Sequence, residues 1–299
     1  MSNQQKNPKI IVIVGTNTSG KSTLAVFLAR KFGGEVISAD SRQVYKGFNL
    51  SAGKINKMEM RSIRHHLLDV ASPKRTFTVA QYQKLARQAV LKIWRGHKLP
   101  IICGGNGFYI QAVLDGIVLP EVKPNFKLRT ILQKKSASAL FQILKTKDPV
   151  RAKTIDSKNP RRLIRALEII AAVGKVPKPK TNPLAAQVLM LGIKKDKSVL
   201  RKLIEQRLIK RLRLGMLREI KSLHAHGLSW RRLESFGLEY RYCALLLQKR
   251  ISKEQFKNEL VRAISKYAKR QITWFKKDKR IHWLKNKRQA EKLVKEFLN

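Results

Sequence analysis

Gly15-Thr16-Asn17-Thr18-Ser19-Gly20-Lys21-Ser22 is the stretch that decides the fold. Its spacing, G-x-x-x-x-G-K-S/T, is that of a P-loop, a glycine-rich turn whose backbone N–H groups cradle phosphate oxygens. The flanks are those the motif needs. Ile10-Ile11-Val12-Ile13-Val14 precedes it, a continuous apolar run suited to a strand covered on both faces. Leu24, Phe27, Leu28 and Lys31 follow as the start of an amphipathic helix. Glycine lets the backbone come close to the anion, the helix N-terminus aims free N–H groups at it, and Lys21 adds a charge. The stretch from Gly15 to Thr23 is therefore expected to grip a diphosphate or triphosphate, with the Ser22 hydroxyl placed on Mg²⁺.

Charge narrows the partners. The 299 residues carry 65 Lys and Arg against 19 Asp and Glu, a net charge of +46. An enzyme of small metabolites has no use for such a field, which attracts polyanions generally. Nucleic acid is the favoured partner, held largely through its phosphates. Two cysteines, Cys103 and Cys243, are too few for a disulfide framework or a Cys-rich zinc site. Met1–Pro8 is short and polar, unlike a signal peptide, and no apolar stretch approaches a membrane span of roughly 20 residues. A cytoplasmic monomer with no membrane partner is expected.

Strand and helix signals then alternate. Glu35-Val36-Ile37-Ser38 reads as a strand ending at Ala39-Asp40-Ser41, which sets Asp40 beside the P-loop, because the carboxyl ends of parallel strands carry the site. Residues 47–75 look irregular. Thr78-Val79-Ala80-Gln81 has capping-box spacing, and helical apolar spacing runs from Val79 until Gly96 and Pro100 stop it. Leu99 to Cys103 makes another buried strand, leading through Gly104-Gly105-Asn106-Gly107 into a helix to about Leu114. This is the pattern of an α/β fold, a doubly wound parallel sheet. Three segments are expected: a first part of the P-loop core (1–115), a basic, mainly helical insertion (116–186), and the rest of the core with C-terminal helices (187–299). Val188 to Ile193 reads as a strand, and helices are expected over 197–224, 237–248 and 252–277. In the last, Phe256, Leu260, Ile264, Tyr267, Gln271 and Trp274 share one face and read as core beneath a solvated basic face.

Several segments in order carry a family resemblance: Gly15–Ser22, Ile37-Ser38-Ala39-Asp40-Ser41-Arg42-Gln43-Val44-Tyr45-Lys46-Gly47, Arg64-His65-His66-Leu67-Leu68-Asp69-Val70, Gly104-Gly105-Asn106-Gly107-Phe108-Tyr109, Asn159-Pro160-Arg161-Arg162-Leu163-Ile164-Arg165-Ala166-Leu167-Glu168 and Tyr267-Ala268-Lys269-Arg270-Gln271-Ile272-Thr273-Trp274-Phe275. Together they resemble the bacterial tRNA dimethylallyltransferases (tRNA isopentenyltransferases) from about residue 9 to 285. The resemblance implies transfer of a dimethylallyl group from dimethylallyl diphosphate to the exocyclic amine of the adenosine 3′ of the tRNA anticodon. It also implies that Mg²⁺ is needed and that the P-loop holds the diphosphate leaving group. The anticodon stem-loop fits that expectation, since single-stranded RNA loops are where bases can be splayed out and reached.

The resemblance also distributes roles. Lys21 and the loop Gly15–Thr23 meet the diphosphate, and Arg207 aligns with an arginine that contacts it or orders the site. Asp40 is the candidate base that orients the adenine amine and takes its proton. Asp40, Ser41, Arg42 and Gln43 align with the stretch touching the target adenosine and its neighbours. Arg161, Arg162, Leu163, Ile164 and Arg165 align with a second tRNA-contacting segment, and Lys127 lies near the position where the family has a basic residue at the RNA. Asn106 stands where the family has threonine, at the mouth where the target nucleotide enters. Arg42 replaces an apolar residue, and Leu50-Ser51-Ala52-Gly53-Lys54 replaces Gly-Thr-Ala-Lys. These departures leave open a catalytically weakened RNA-binding paralogue, and the P-loop alone leaves open an ATP-using small-molecule kinase. His65/His66 and His224/His226 lack partners at ligand spacing and read as structural or RNA-facing.

Overall fold

A computed structural model describes residues 8–118 and 120–299. In chain order the strands are β1 (Lys9–Gly15), β2 (Gly34–Ala39), β3 (His65–His66), β4 (Leu99–Gly104), β5 (Ile117–Val118), β6 (Lys180–Thr181), β7 (Gln187–Ile193) and β8 (Ile281–Leu284). Six of them form one sheet in the order β3-β2-β4-β1-β7-β8, every pairing in it parallel. Among the described residues β5 and β6 pair with each other, antiparallel, in a separate two-stranded sheet.

Side chains alternate across β1, so it feeds two cores at once. Ile10, Val12 and Val14 join Ile37, Ile102, Tyr82, Ile110 and Ile264, beneath helices 79–95, 107–114 and 253–275. Ile11 and Ile13 join Val36, Ile101, Leu191, Leu28, Ala290 and Val294, beneath helices 21–31 and 287–298. With both faces covered, a parallel sheet tolerates the unbroken apolar runs that mark β1 and β4.

The chain divides into two compact units, one made of residues up to Gly116 together with Pro183–Asn299, the other of Ile117–Asn182. The smaller unit ends four residues before the boundary expected at 186. The reason is that Leu184 donates its N–H to the Leu114 carbonyl at 2.8 Å and Gln187 donates to Pro8 at 2.9 Å, which draws this stretch toward β1 and the 107–114 helix. The smaller unit consists of helices Phe126–Leu132, Ala137–Lys147, Pro149–Ala152 and Pro160–Val173 with the β5–β6 ribbon. Leu132, Leu140, Leu144, Leu163, Leu167 and Ile170 form its core.

Two local expectations need correction, and one strand is not anticipated by the sequence. Residues 47–75 are not irregular throughout. They contain a single helical turn, Lys57–Met60, held by a capping box between Asn56 and Glu59, and they contain β3, which is too short to show a period. The helix expected over 197–224 is two, Lys197–Arg213 and Met216–Ala225, broken at Gly215, whose φ of 99° lies in the left-handed region. β8 carries no clear sequence signal, since Ile281-His282-Trp283-Leu284 is four residues between basic runs, yet it extends the sheet beside β7.

Candidate active site

The carboxyl ends of β1, β2 and β4 converge, as the rule for parallel sheets requires. Leaving β1, the P-loop turns through Thr18 (φ 64°) and Gly20 (φ 92°) before helix 21–31 begins. Positive φ costs little at Gly20 and more at Thr18. Strain of that kind gathers where a loop is shaped for a ligand. Lys21 folds back over the turn, its Nζ donating to the Thr16 carbonyl at 2.5 Å. Thr16 Oγ1 and Ser19 Oγ are buried and meet no hydrogen-bond partner among the described residues, whereas Ser22 and Thr23 are exposed at the helix start.

Asp40 follows β2 directly. Its Oδ1 accepts the N–H groups of Arg42 at 2.7 Å and Gln43 at 3.3 Å. These bonds fix the carboxylate at the head of a turn and leave its second oxygen to accept another donor. Asn106 follows β4 and caps helix 107–114, its Oδ1 accepting from Tyr109 N at 3.3 Å while its own N–H reaches the Ala39 carbonyl at 3.3 Å. Threonine and asparagine both serve as N-caps, so Asn106 keeps that local function. Arg42 is half-buried, with its guanidinium 5.5 Å from the Phe236 ring centre, and this stacking accommodates a charge where an apolar side chain was expected.

Two cations stand at this site partly stripped of water. Burial lowers the Lys21 ammonium from 10.5 to about 8; Cys103 and Asp40 act against that shift and Arg207 adds to it. Burial also lowers Arg207 from 12.5 to about 10, reinforced by Arg211 and opposed by Glu239 and Asp40. Arg207 shares a small pocket with Asn17 and Thr18 of the P-loop. Asp40 therefore lies within electrostatic reach of both cations, and an anion placed against them would be stabilised by both.

The structure brings Lys21, the P-loop, Asp40, Gln43, Asn106 and Arg207 together within the larger unit. Lys127, Arg161 and Arg162 are exposed in the smaller one. Three neighbours in that segment depart from the RNA-contacting expectation. Leu163 and Ile164 are buried in the smaller unit's core, because the helix that exposes 161 and 162 turns 163, 164, 167 and 170 inward. Arg165 is tied down inside the unit, donating to the carbonyls of Val122 at 2.9 Å and Pro120 at 3.4 Å and lying 3.5 Å from Glu168.

One residue escaped sequence reasoning. Gln271 is 5 % exposed; its Oε1 accepts from Asn17 N at 3.2 Å and its Nε2 donates to the Gly105 carbonyl at 2.8 Å. It thus bridges the P-loop to the turn after β4. An amide in an otherwise apolar helical stripe is the signal, since a buried amide needs partners. Trp274 of the same stripe is 39 % exposed, lying against Gly107, so it is not the core aromatic expected. The histidines have local partners: His66 Nε2 pairs with Glu35 at 2.6 Å, and His224 stacks on Trp230. Among the described residues, no three His, Cys, Asp or Glu side chains are grouped so as to hold a metal.

A parallel sheet covered on both faces by helices, with a glycine-rich loop, two desolvated cations and an adjacent carboxylate at its carboxyl edge, makes this an α/β protein whose site suits an anionic ligand. The IPP transferase family model matches residues 43–278, and the chain belongs to that family. A tRNA dimethylallyltransferase from Treponema pallidum (strain Nichols) is 42 % identical over 287 residues, covering 92 % of this chain and 90 % of its own. Among solved structures, the tRNA isopentenylpyrophosphate transferase of Bacillus halodurans superimposes with a TM-score of 0.70 at 31 % identity, covering 93 % of this chain and 90 % of the other. A eukaryotic dimethylallyltransferase described as acting on tRNA gives a TM-score of 0.77 at 28 % identity, covering 89 % of this chain and 69 % of that one. Neither the kinase nor the weakened paralogue is favoured by these relatives.

Proposed function

We propose that this protein transfers a dimethylallyl group from dimethylallyl diphosphate to the exocyclic amine of the adenosine 3′ of the tRNA anticodon, releasing diphosphate. The observation that carries the reading is the site's geometry in an IPP transferase chain, with Lys21 folded over the P-loop, Arg207 lining the same pocket as Asn17 and Thr18, and Asp40 pinned by one oxygen at the neighbouring strand end. As the allylic carbon–oxygen bond breaks, its electron pair leaves with the diphosphate. Preorganised donors and cations at that position lower the barrier by meeting the developing charge. The new bond joins the allylic carbon to the amine nitrogen, which becomes cationic and surrenders a proton. The free Asp40 oxygen accepts that proton, while its partner oxygen stays pinned by Arg42 and Gln43. General-base help of this kind contributes roughly 100- to 10,000-fold.

Mg²⁺ is held by few protein oxygens and completes its shell with waters and substrate phosphates. The exposed Ser22 hydroxyl next to Lys21 suits that donor set, and the ion would supply further neutralisation of the diphosphate. Exposed Lys127, Arg161 and Arg162, within a chain of net charge +46, suit the tRNA backbone. The deciding experiment incubates the protein with labelled dimethylallyl diphosphate and total tRNA, then separates the nucleosides. Label in an N6-modified adenosine is expected. Phosphoryl transfer from ATP without prenyl transfer would overturn the reading.

A further inference from the structure

The turn at residues 49–54 is held from one side by a single carboxylate. Glu219, on helix 216–225, accepts the N–H groups of three consecutive residues: Asn49 at 3.1 Å and Leu50 at 2.7 Å on Oε2, and Ser51 at 3.0 Å on Oε1. The turn is closed on itself by Gly53 N to the Leu50 carbonyl at 3.0 Å and Lys54 N to the Asn49 carbonyl at 2.9 Å. Lys54 Nζ then locks it to Asn49 Oδ1, the Tyr45 carbonyl and Asp69.

The far end of this turn enters the active site. The Gly53 carbonyl accepts Arg207 Nη2 at 3.1 Å and Gln43 Nε2 at 3.3 Å. Gln43 in turn donates its N–H to Asp40 and accepts from Ser38 Oγ at 3.1 Å. Gly53 has φ 58°, and a Cβ there would run into the guanidinium groups of both Arg207 and Arg211. Arg211 is itself paired with Glu239 at 3.1 Å. The arginines therefore lie flush against the turn, and the position of Arg207 follows the position of Gly53.

We infer that Glu219 is a positioning residue for the prenyl-diphosphate site: by anchoring the 49–51 backbone it places the Gly53 carbonyl that aims Arg207. The inference rests on the role proposed above for Arg207 as a diphosphate contact. Glutamine at 219 keeps the shape but has one acceptor oxygen and an NH2 group, which would oppose at least one backbone N–H. The turn then shifts and Arg207 loses its aim, while the P-loop and the exposed tRNA-facing arginines are untouched.

The test is a double-mutant cycle of Glu219→Gln with Arg207→Ala, read as KM for dimethylallyl diphosphate, turnover and tRNA affinity. Glu219→Gln alone is expected to raise KM about tenfold, the effect of losing one charge-assisted hydrogen bond. Turnover should fall as well, because Arg207 also meets the charge that develops on the leaving group, while tRNA affinity stays unchanged. In the Arg207→Ala background, Glu219→Gln should add almost nothing. Full additivity, or an unchanged KM in the single variant, overturns the inference. Gly53→Ala displaces Arg207 from the same turn without touching Glu219, and should raise KM in the same way. If Glu219→Gln does not fold, an unchanged KM in Gly53→Ala overturns the inference. An Arg207→Ala variant with normal KM shows instead that the diphosphate role of Arg207 fails, and the inference falls with it.

Discussion

Affinity for dimethylallyl diphosphate should fall as pH rises through 8, and the cause is one side chain. Burial holds the Lys21 ammonium at about 8 in the ligand-free protein. At that value about 90 % of Lys21 is charged at pH 7 and about 10 % at pH 9. The ligand changes charge little in this interval, because a terminal phosphate with a second pKa of about 6 is already about 90 % ionised at pH 7. Arg207, lowered to about 10, remains mostly charged at pH 9. The anion binds well only to the ammonium form, so Kd should rise about tenfold between pH 7 and pH 9, or about 1.4 kcal/mol. Binding at pH 9 must then take up close to one proton. Titration calorimetry in buffers of different ionisation enthalpy measures both quantities. Lys21→Met should bind more weakly at every pH and lose the dependence. A lysine at its ordinary 10.5 would change Kd by only a few per cent over this range, so a flat profile with no proton uptake refutes the argument.

Asp40→Asn keeps the shape of the turn but cannot accept a proton; single-turnover transfer at saturating substrates should slow at least ~100-fold with tRNA and prenyl-diphosphate binding retained. Arg161→Ala and Arg162→Ala should each weaken tRNA binding and flatten the slope of log affinity against log salt by about 0.7–0.9, the share of one phosphate contact. Arg165→Ala should leave that slope alone and instead lower the thermal stability of the smaller unit, because its guanidinium is committed to Pro120, Val122 and Glu168. Gln271→Ala strands the Asn17 N–H and the Gly105 carbonyl, each worth about 1–3 kcal/mol when buried and unpaired. Together they come to a loss of about 2–6 kcal/mol, which corresponds to a Tm drop of roughly 3–10 °C by calorimetry for a chain of this size.

The P-loop can be read from the chain because three signals coincide there: a run apolar at every position, the glycine spacing, and the onset of a 3.6-residue period. Topology alone places Asp40 beside Lys21, since any residue ending a parallel strand faces the same edge of the sheet. Long-range backbone recognition is not legible. Glu219 binds three amides about 170 residues away, and backbone amides have no sequence signature. Gln271 looks like part of a core stripe, as its partners are also main-chain atoms. For Leu163 and Ile164 the linear motif hides the helical period, which sends neighbouring positions to opposite sides of one helix.

β1 also has a consequence for how the chain comes into being. It is the first strand among the described residues, yet its neighbours are β4 and β7, and helix 287–298 shares with helix 21–31 the cover of one of its faces, where Lys9 Nζ donates to the Leu298 carbonyl at 2.8 Å. At about 10 residues per second, on the order of half a minute separates the emergence of β1 from that of helix 287–298. During that interval the β1 edge that pairs with β7 is open until residues 187–193 emerge, and the face lined by Ile11 and Ile13 has helix 21–31 over it but not yet Ala290 and Val294. Pairing of β1 along both of its edges therefore waits for β7, whose first residue lies 172 positions after the last of β1.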